Sequence, residues 1–228
     1  MPQGLQYLVI ITYGRTGSTA LQAAANAHPQ VMIRGENYQM LRGARAYLQS
    51  IAETASRHHA GRPDHPWYGS ARLDPVVVRA DLREHIIRTV LRPRADTAWL
   101  GFKEIRFTSA HWPDADTMFE YLLFINTVLP GVRYLFNIRD AQDAMRSAWW
   151  RREPDALGIL TTTQEWLRQA HDGLQITLGT DRAKLVDYAA WSKDSAVIGE
   201  ALGALTFPAQ QSIIAQALSE HLGHGRAS

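Results

Sequence analysis

The sequence predicts an α/β fold, a central and mainly parallel sheet flanked by helices, on three observations. Two short apolar runs rich in branched residues, QYLVIIT at 6–12 and VRYLFNI at 132–138, read as buried strands. Segments of helical composition alternate with such runs, which implies crossover connections between parallel strands. A chain of 228 residues with 46% hydrophobic content suits a single domain over residues 1–228 with one sizeable core.

Each element follows from its residues. After the first strand, Gly14 to Gly17 make a turn, and residues 18–27 (STALQAAANA) have strong helix propensity. His28-Pro29 closes that helix, because the residue before a proline avoids the right-handed helical region. A short strand is expected at 31–33 and a helix at 36–56. Residues 58–75 hold Gly61, Pro63, Pro66, Gly69 and Pro75 among histidines and aromatics, and read as a long mobile loop. Helix returns at 76–91, strand at 98–102 running into Lys103, helix at 114–128 and strand at 132–138. A helix is expected after Arg139-Asp140 to about Trp150, then a break at 151–158. The chain closes with a helix at 161–178 capped by Thr163, a strand at 183–186, helices at 191–205 and 209–222, and a polar tail at 223–228.

Composition excludes several function classes. Lys plus Arg number 24 against 22 Asp plus Glu, with no run of five like charges, so no nucleic-acid partner is expected. The pI of about 9.0 reflects an arginine-rich chain near neutrality. The absence of cysteine removes disulfides, thiolate metal sites and a thiol nucleophile. The apolar run at 7–11 is too short for a signal segment or a membrane span, so a cytoplasmic protein is expected. No acidic metal cluster is visible, and no metal is expected. Oligomeric state is left open.

Two stretches carry the clearest chemistry. In the first, Gly14-Arg15-Thr16-Gly17-Ser18-Thr19 joins a strand to a helix. A glycine turn exposes backbone N–H groups, and the helix start adds unpaired donors and a positive dipole end. With the Ser18 and Thr19 hydroxyls and the planar Arg15 cation, this makes an anion cradle. It is not a Walker A loop: aligned on Gly17, that motif's first glycine falls on Thr12 and its lysine on Ser18. An ordinary strand-turn-helix connection would share the composition. In the second, Arg139 ends a strand and Ser147 follows eight residues later. An arginine paired with Asp140 or Asp143, and a neutral helical serine, are the plain alternatives.

The run TYGRTGST at 12–19 resembles the 5′-phosphosulfate loop of the sulfotransferases that use PAPS (3′-phosphoadenylyl sulfate). Its arginine is similar to that of the carbohydrate and tyrosyl-protein branches and their bacterial relatives. The resemblance spans roughly residues 6–205 and implies a P-loop-like domain. It implies that Gly14, Arg15, Thr16, Gly17, Ser18 and Thr19 hold the 5′ end of PAPS. Arg139 and Ser147 resemble the two contacts to the 3′-phosphate, although Ala141 stands where the family motif has proline. Lys103 resembles the lysine that stabilises the sulfuryl group. Ile105 occupies the place of the cytosolic branch's catalytic histidine, whereas Glu36, 21 residues after Arg15, resembles the glutamate base of the other branches. A first-turn helical glutamate is its plain alternative.

The run 184–188 (KLVDY) resembles the strand near the nucleotide and puts Tyr188 in the cofactor site, with Ala189 in place of an acidic residue. Of the family's closing loop over the 3′-phosphate only 223–226 is a remnant. The implied reaction moves a sulfuryl group from PAPS to an acceptor hydroxyl, leaving PAP, with Glu36, Arg15 and Lys103 catalytic and no metal. A small molecule or carbohydrate is the implied acceptor. Trp149, Trp150 and the 58–75 loop offer aromatic faces for it, or simply cover the core. A P-loop nucleotide kinase and a non-catalytic PAP- or PAPS-binding module are the alternatives. The missing Walker lysine and metal-binding aspartate argue against the first, and Glu36 with Lys103 against the second.

Overall fold

The computed structural model describes residues 4–57 and 62–224. Five strands, β1 (Gln6–Ile11), β2 (Val31–Arg34), β3 (Trp99–Glu104), β4 (Arg133–Ile138) and β5 (Ala183–Asp187), form one sheet in the order β2-β3-β1-β4-β5. Every neighbouring pair is parallel, so the expected α/β sheet is present and wholly parallel. The helices are α1 (Ser18–Asn26), α2 (Leu41–Ser56), α3 (Pro75–His85), α4 (Ala115–Val128), α5 (Ala141–Met145), α6 (Ala156–Leu178), α7 (Tyr188–Trp191), α8 (Ala196–Ala204) and α9 (Gln211–His224).

Alternation along β1 separates two cores, because successive side chains leave a strand on opposite faces. Tyr7, Val9 and Ile11 join the apolar cluster under α2, α4 and α6, while Leu8 and Ile10 join the cluster under α1, α8 and α9. Gly101 lets β3 approach β1 closely, since a Cβ there would overlap the Leu8 carbonyl. With all strands parallel, their five carboxyl ends share one edge. The chain leaves β1 toward α1 on one face, but leaves β3 and β4 toward α4 and α5 on the other. Such a reversal opens a crevice beyond the carboxyl end of the middle strand.

Several expected boundaries are corrected, mostly by tertiary hydrogen bonds. The helix expected from Glu36 begins at Leu41, because the N–H groups of Asn37 and Gln39 bond the Glu104 carboxylate instead of helical carbonyls. Asp74 caps α3, which passes into a π-helical turn at Ile86–Leu91. The helix after Arg139 covers only Ala141–Met145, so Ser147 does not lie two turns along it but is extended, with φ −116°. A 3₁₀ turn at Ala148–Arg152 follows and carries Trp150 into the core. Helix α6 starts at Ala156, and Thr163 is no cap: its buried hydroxyl accepts the Ser109 N–H at 3.0 Å. Trp191 ends the short α7 rather than opening a long helix, and Tyr188 starts it. Of the 58–75 loop, residues 58–61 lie outside the described residues, and the remainder includes a 3₁₀ turn at Ser70–Arg72. The expected polar tail starts inside α9, which reaches His224, and 225–228 lie outside the described residues.

Candidate active site

The loop after β1 is braced from below and from the side. Thr12 Oγ1 meets Thr16 Oγ1 at 2.7 Å and donates to the Asn137 carbonyl at 2.7 Å. Asn137 Nδ2 donates to the Thr16 carbonyl at 2.8 Å, and Trp191 Nε1 donates to Asn137 Oδ1 at 2.9 Å. Buried polar groups satisfied this fully fix one loop shape. Gly17 takes φ 75°, and a Cβ there would fall 2.6 Å from the Tyr188 ring. Arg15 is also left-handed, at φ 73°, a conformation that costs a non-glycine residue roughly 1–2 kcal/mol. Both ends of Arg15 are held: its Nε donates to Ser147 Oγ at 2.9 Å, and its carbonyl accepts Arg139 Nη1 at 3.1 Å. Among the described residues no group accepts from the N–H of Gly17, Ser18 or Thr19, which leaves three unpaired backbone donors at the start of α1.

Arg139, at the end of β4, is anchored through its backbone. Its N–H donates to the Tyr13 hydroxyl at 2.8 Å, the hydroxyl donates to the Arg139 carbonyl, and Gln164 Nε2 donates to both oxygens, at 3.0 and 2.5 Å. Burial pushes the Tyr13 phenol up to about 12, so it remains a neutral donor. The Arg139 guanidinium lies 4.5 Å over the Tyr188 ring, and its buried Nε has no partner among the described residues. Trp150 Nε1 donates to the Gly14 carbonyl at 3.0 Å, whereas the half-exposed Trp149 lies against Gly14.

A second cluster sits across β1, at the ends of β2 and β3. Lys103 Nζ pairs with Glu36 Oε1 at 2.9 Å, and Arg106 Nη1 approaches Glu36 Oε2 at 3.5 Å and Glu104 Oε1 at 3.0 Å. Lys103 is almost wholly buried, while the Glu36 side chain keeps 34% exposure. A cleft of about 390 Å³ opens beside Glu36, walled by Arg34, Asn37, Met40, Leu91, Arg92 and Phe102. Among the described residues, both amide atoms of Asn37 are buried without a partner.

The fold thus gathers Gly14, Arg15, Thr16, Gly17, Ser18, Thr19, Arg139, Ser147 and Tyr188 at the ends of β1, β4 and β5. It gathers Glu36 and Lys103 at the ends of β2 and β3. No side-chain hydrogen bond or ion pair joins the two groups among the described residues, but Lys103 pairs with Ile10 and Phe136 with Ile11, which places them on either side of β1. Sequence reasoning missed Tyr13, Glu104, Arg106, Asn137 and Gln164. Only Glu104 left a signal, a carboxylate closing an otherwise apolar strand beside Lys103.

The model of the sulfotransferase family matches residues 8–196, which contain both groups. This chain belongs to the sulfotransferase family. As an enzyme of that family it catalyses sulfuryl transfer. No curated protein matches its sequence. Among solved structures, the sulfotransferase domain from the curacin biosynthetic pathway superimposes with a TM-score of 0.55 at 15% identity, covering 92% of this chain and 76% of that one. The sulfotransferase domain of the Synechococcus PCC 7002 olefin synthase gives 0.55 at 15% identity, covering 93% and 78%. At that identity the likeness is one of fold. Among its described residues this sulfotransferase has no helix long and apolar enough to cross a membrane, and no group of three or more acidic or histidine side chains placed to hold a metal.

Proposed function

We propose that this sulfotransferase uses PAPS to sulfate the hydroxyl of a small-molecule or carbohydrate acceptor, with Glu36 as general base and no metal, in one domain over residues 1–228. The observation that carries the reading is the Lys103–Glu36 pair at 2.9 Å, set across one strand from the Arg15–Ser147 bond. An unpartnered buried Nε on Arg139 and the three bare N–H groups of Gly17, Ser18 and Thr19 fit a ligand bearing phosphates at both ends.

Gly14 to Thr19 would hold the 5′ end of PAPS, Arg139 and Ser147 its 3′-phosphate, and Tyr188 would support the Arg139 guanidinium from below. PAPS supplies a sulfuryl group on a phosphate leaving group. Glu36 takes the acceptor's hydroxyl proton; bonded to Lys103 through Oε1, it still has a lone pair to receive it. Lys103 and Arg15 are fixed cations for charge developing on the transferred group. That group carries less charge than a γ-phosphoryl, so such cations can do what Mg²⁺ does in phosphoryl transfer. The cleft beside Glu36 is where the acceptor would enter, with Asn37 offering a polar contact at its wall.

Glu36→Gln should lower kcat by on the order of 10²–10⁴ while calorimetric affinity for PAP stays within about twofold, and EDTA should leave the wild-type rate unchanged. Wild-type turnover in Glu36→Gln would remove the base. Failure of the wild type to bind PAP would remove the co-substrate.

A further inference from the structure

Resting on the reading of Glu36 as the base, we infer that Glu104 is a positioning residue that holds Glu36 in register with Lys103. Glu104 is 1% exposed and closes β3, one residue after Lys103. Its Oε1 accepts the N–H groups of Ile105 at 2.9 Å and Arg106 at 3.1 Å, together with Arg106 Nη1 at 3.0 Å. Its Oε2 accepts the N–H groups of Asn37 at 3.2 Å and Gln39 at 2.9 Å. One carboxylate therefore ties the turn after Glu36 directly to the strand that carries Lys103.

The turn needs that tie. Tyr38 and Gln39 are both left-handed, at φ 57° and 52°, and each such non-glycine residue is unfavourable on its own. Glu104 also sets how the nearest cation is shared. Arg106 lies 3.0 Å from Glu104 but 3.5 Å from Glu36, with the Tyr38 ring 4.2 Å from its guanidinium. Without Glu104, Arg106 would be free to close on Glu36 and compete with Lys103. A buried carboxylate kept for stability alone would be a poor choice, since apolar replacements often serve as well. Glutamine cannot stand in for it. Whichever way its amide is turned, an NH₂ group meets at least two N–H donors.

The test is a double-mutant cycle on kcat. Glu104→Gln should lower kcat by on the order of 10²-fold, the effect of misplacing a reacting group by about an ångström, with PAP affinity within about twofold of wild type. In the Glu36→Gln background the same change should cost almost nothing further, because Glu104 acts through Glu36. Amide exchange at Asn37 and Gln39 should accelerate in Glu104→Gln but not in Glu36→Gln. If Glu104→Gln fails to fold, Gln39→Pro, which forbids the left-handed turn and leaves Glu104 in place, should show the same kcat loss and the same non-additivity. Wild-type kcat in the soluble variant, or an equal fold-loss in both backgrounds, overturns the inference. Wild-type turnover in Glu36→Gln instead overturns the base assignment beneath it.

Discussion

Tyr13 stands where the anion loop leaves β1, and its phenol joins that loop to the end of β4 through Arg139 and Gln164. Burial raises it to about 12, and raises the phenols of Tyr121 and Tyr134 in the same direction. Tyrosines of the unfolded chain ionise near pH 10. The folded state thus holds these protons more tightly, and their contribution is complete below about pH 10 and lost as pH rises toward 12. Urea titrations should show the unfolding free energy falling across that window, with Tyr13 contributing on the order of 1–3 kcal/mol of the fall, and a correspondingly shallower fall in Tyr13→Phe. A flat profile from pH 9 to 11.5 would contradict the burial of these groups. At this scale the sequence was legible where a residue sits beside a strand end within a motif, as Arg15, Lys103 and Arg139 do. It was illegible for residues whose role is a distant hydrogen bond: Glu104 meets Asn37 across 67 residues, and Gln164 meets Tyr13 across 151.

Strands were more legible than helix ends, because an apolar run is a local property while a boundary is contested by distant groups. The runs at 6–12 and 132–138 appear as β1 and β4. Helices at Glu36 and through Ser147 were expected from propensity, yet Glu104 drew the first segment out of the helix and the burial of Trp150 redirected the second. Pairing between strands carries its own test. A Cβ at position 101 would overlap the Leu8 carbonyl, and backbone in the centre of a sheet cannot rotate aside. Gly101→Ala should therefore cost roughly 3 kcal/mol or more, beyond what a repacked side chain would. A denaturant midpoint equal to wild type would show that β1 and β3 lie further apart.

Alternation of strands and helices made the fold class legible over the whole chain, whereas the order β2-β3-β1-β4-β5 emerged only with the structure. Under the proposed function the nucleotide touches elements from both faces of the sheet, since α1 and α7 border one core and α5 the other. PAP at 100 times its Kd should then stabilise the molecule by about 2.7 kcal/mol, and Arg139→Ala at the same PAP concentration should lose most of that gain. An undiminished gain in the variant would remove Arg139 from the site. The strand order has one more consequence. β1 is central in the sheet, yet Leu8 finds its neighbours only at Gly101 and Arg133. At about 5–20 residues per second of synthesis, β1 therefore waits several seconds with both edges open before either of the strands that flank it has been made.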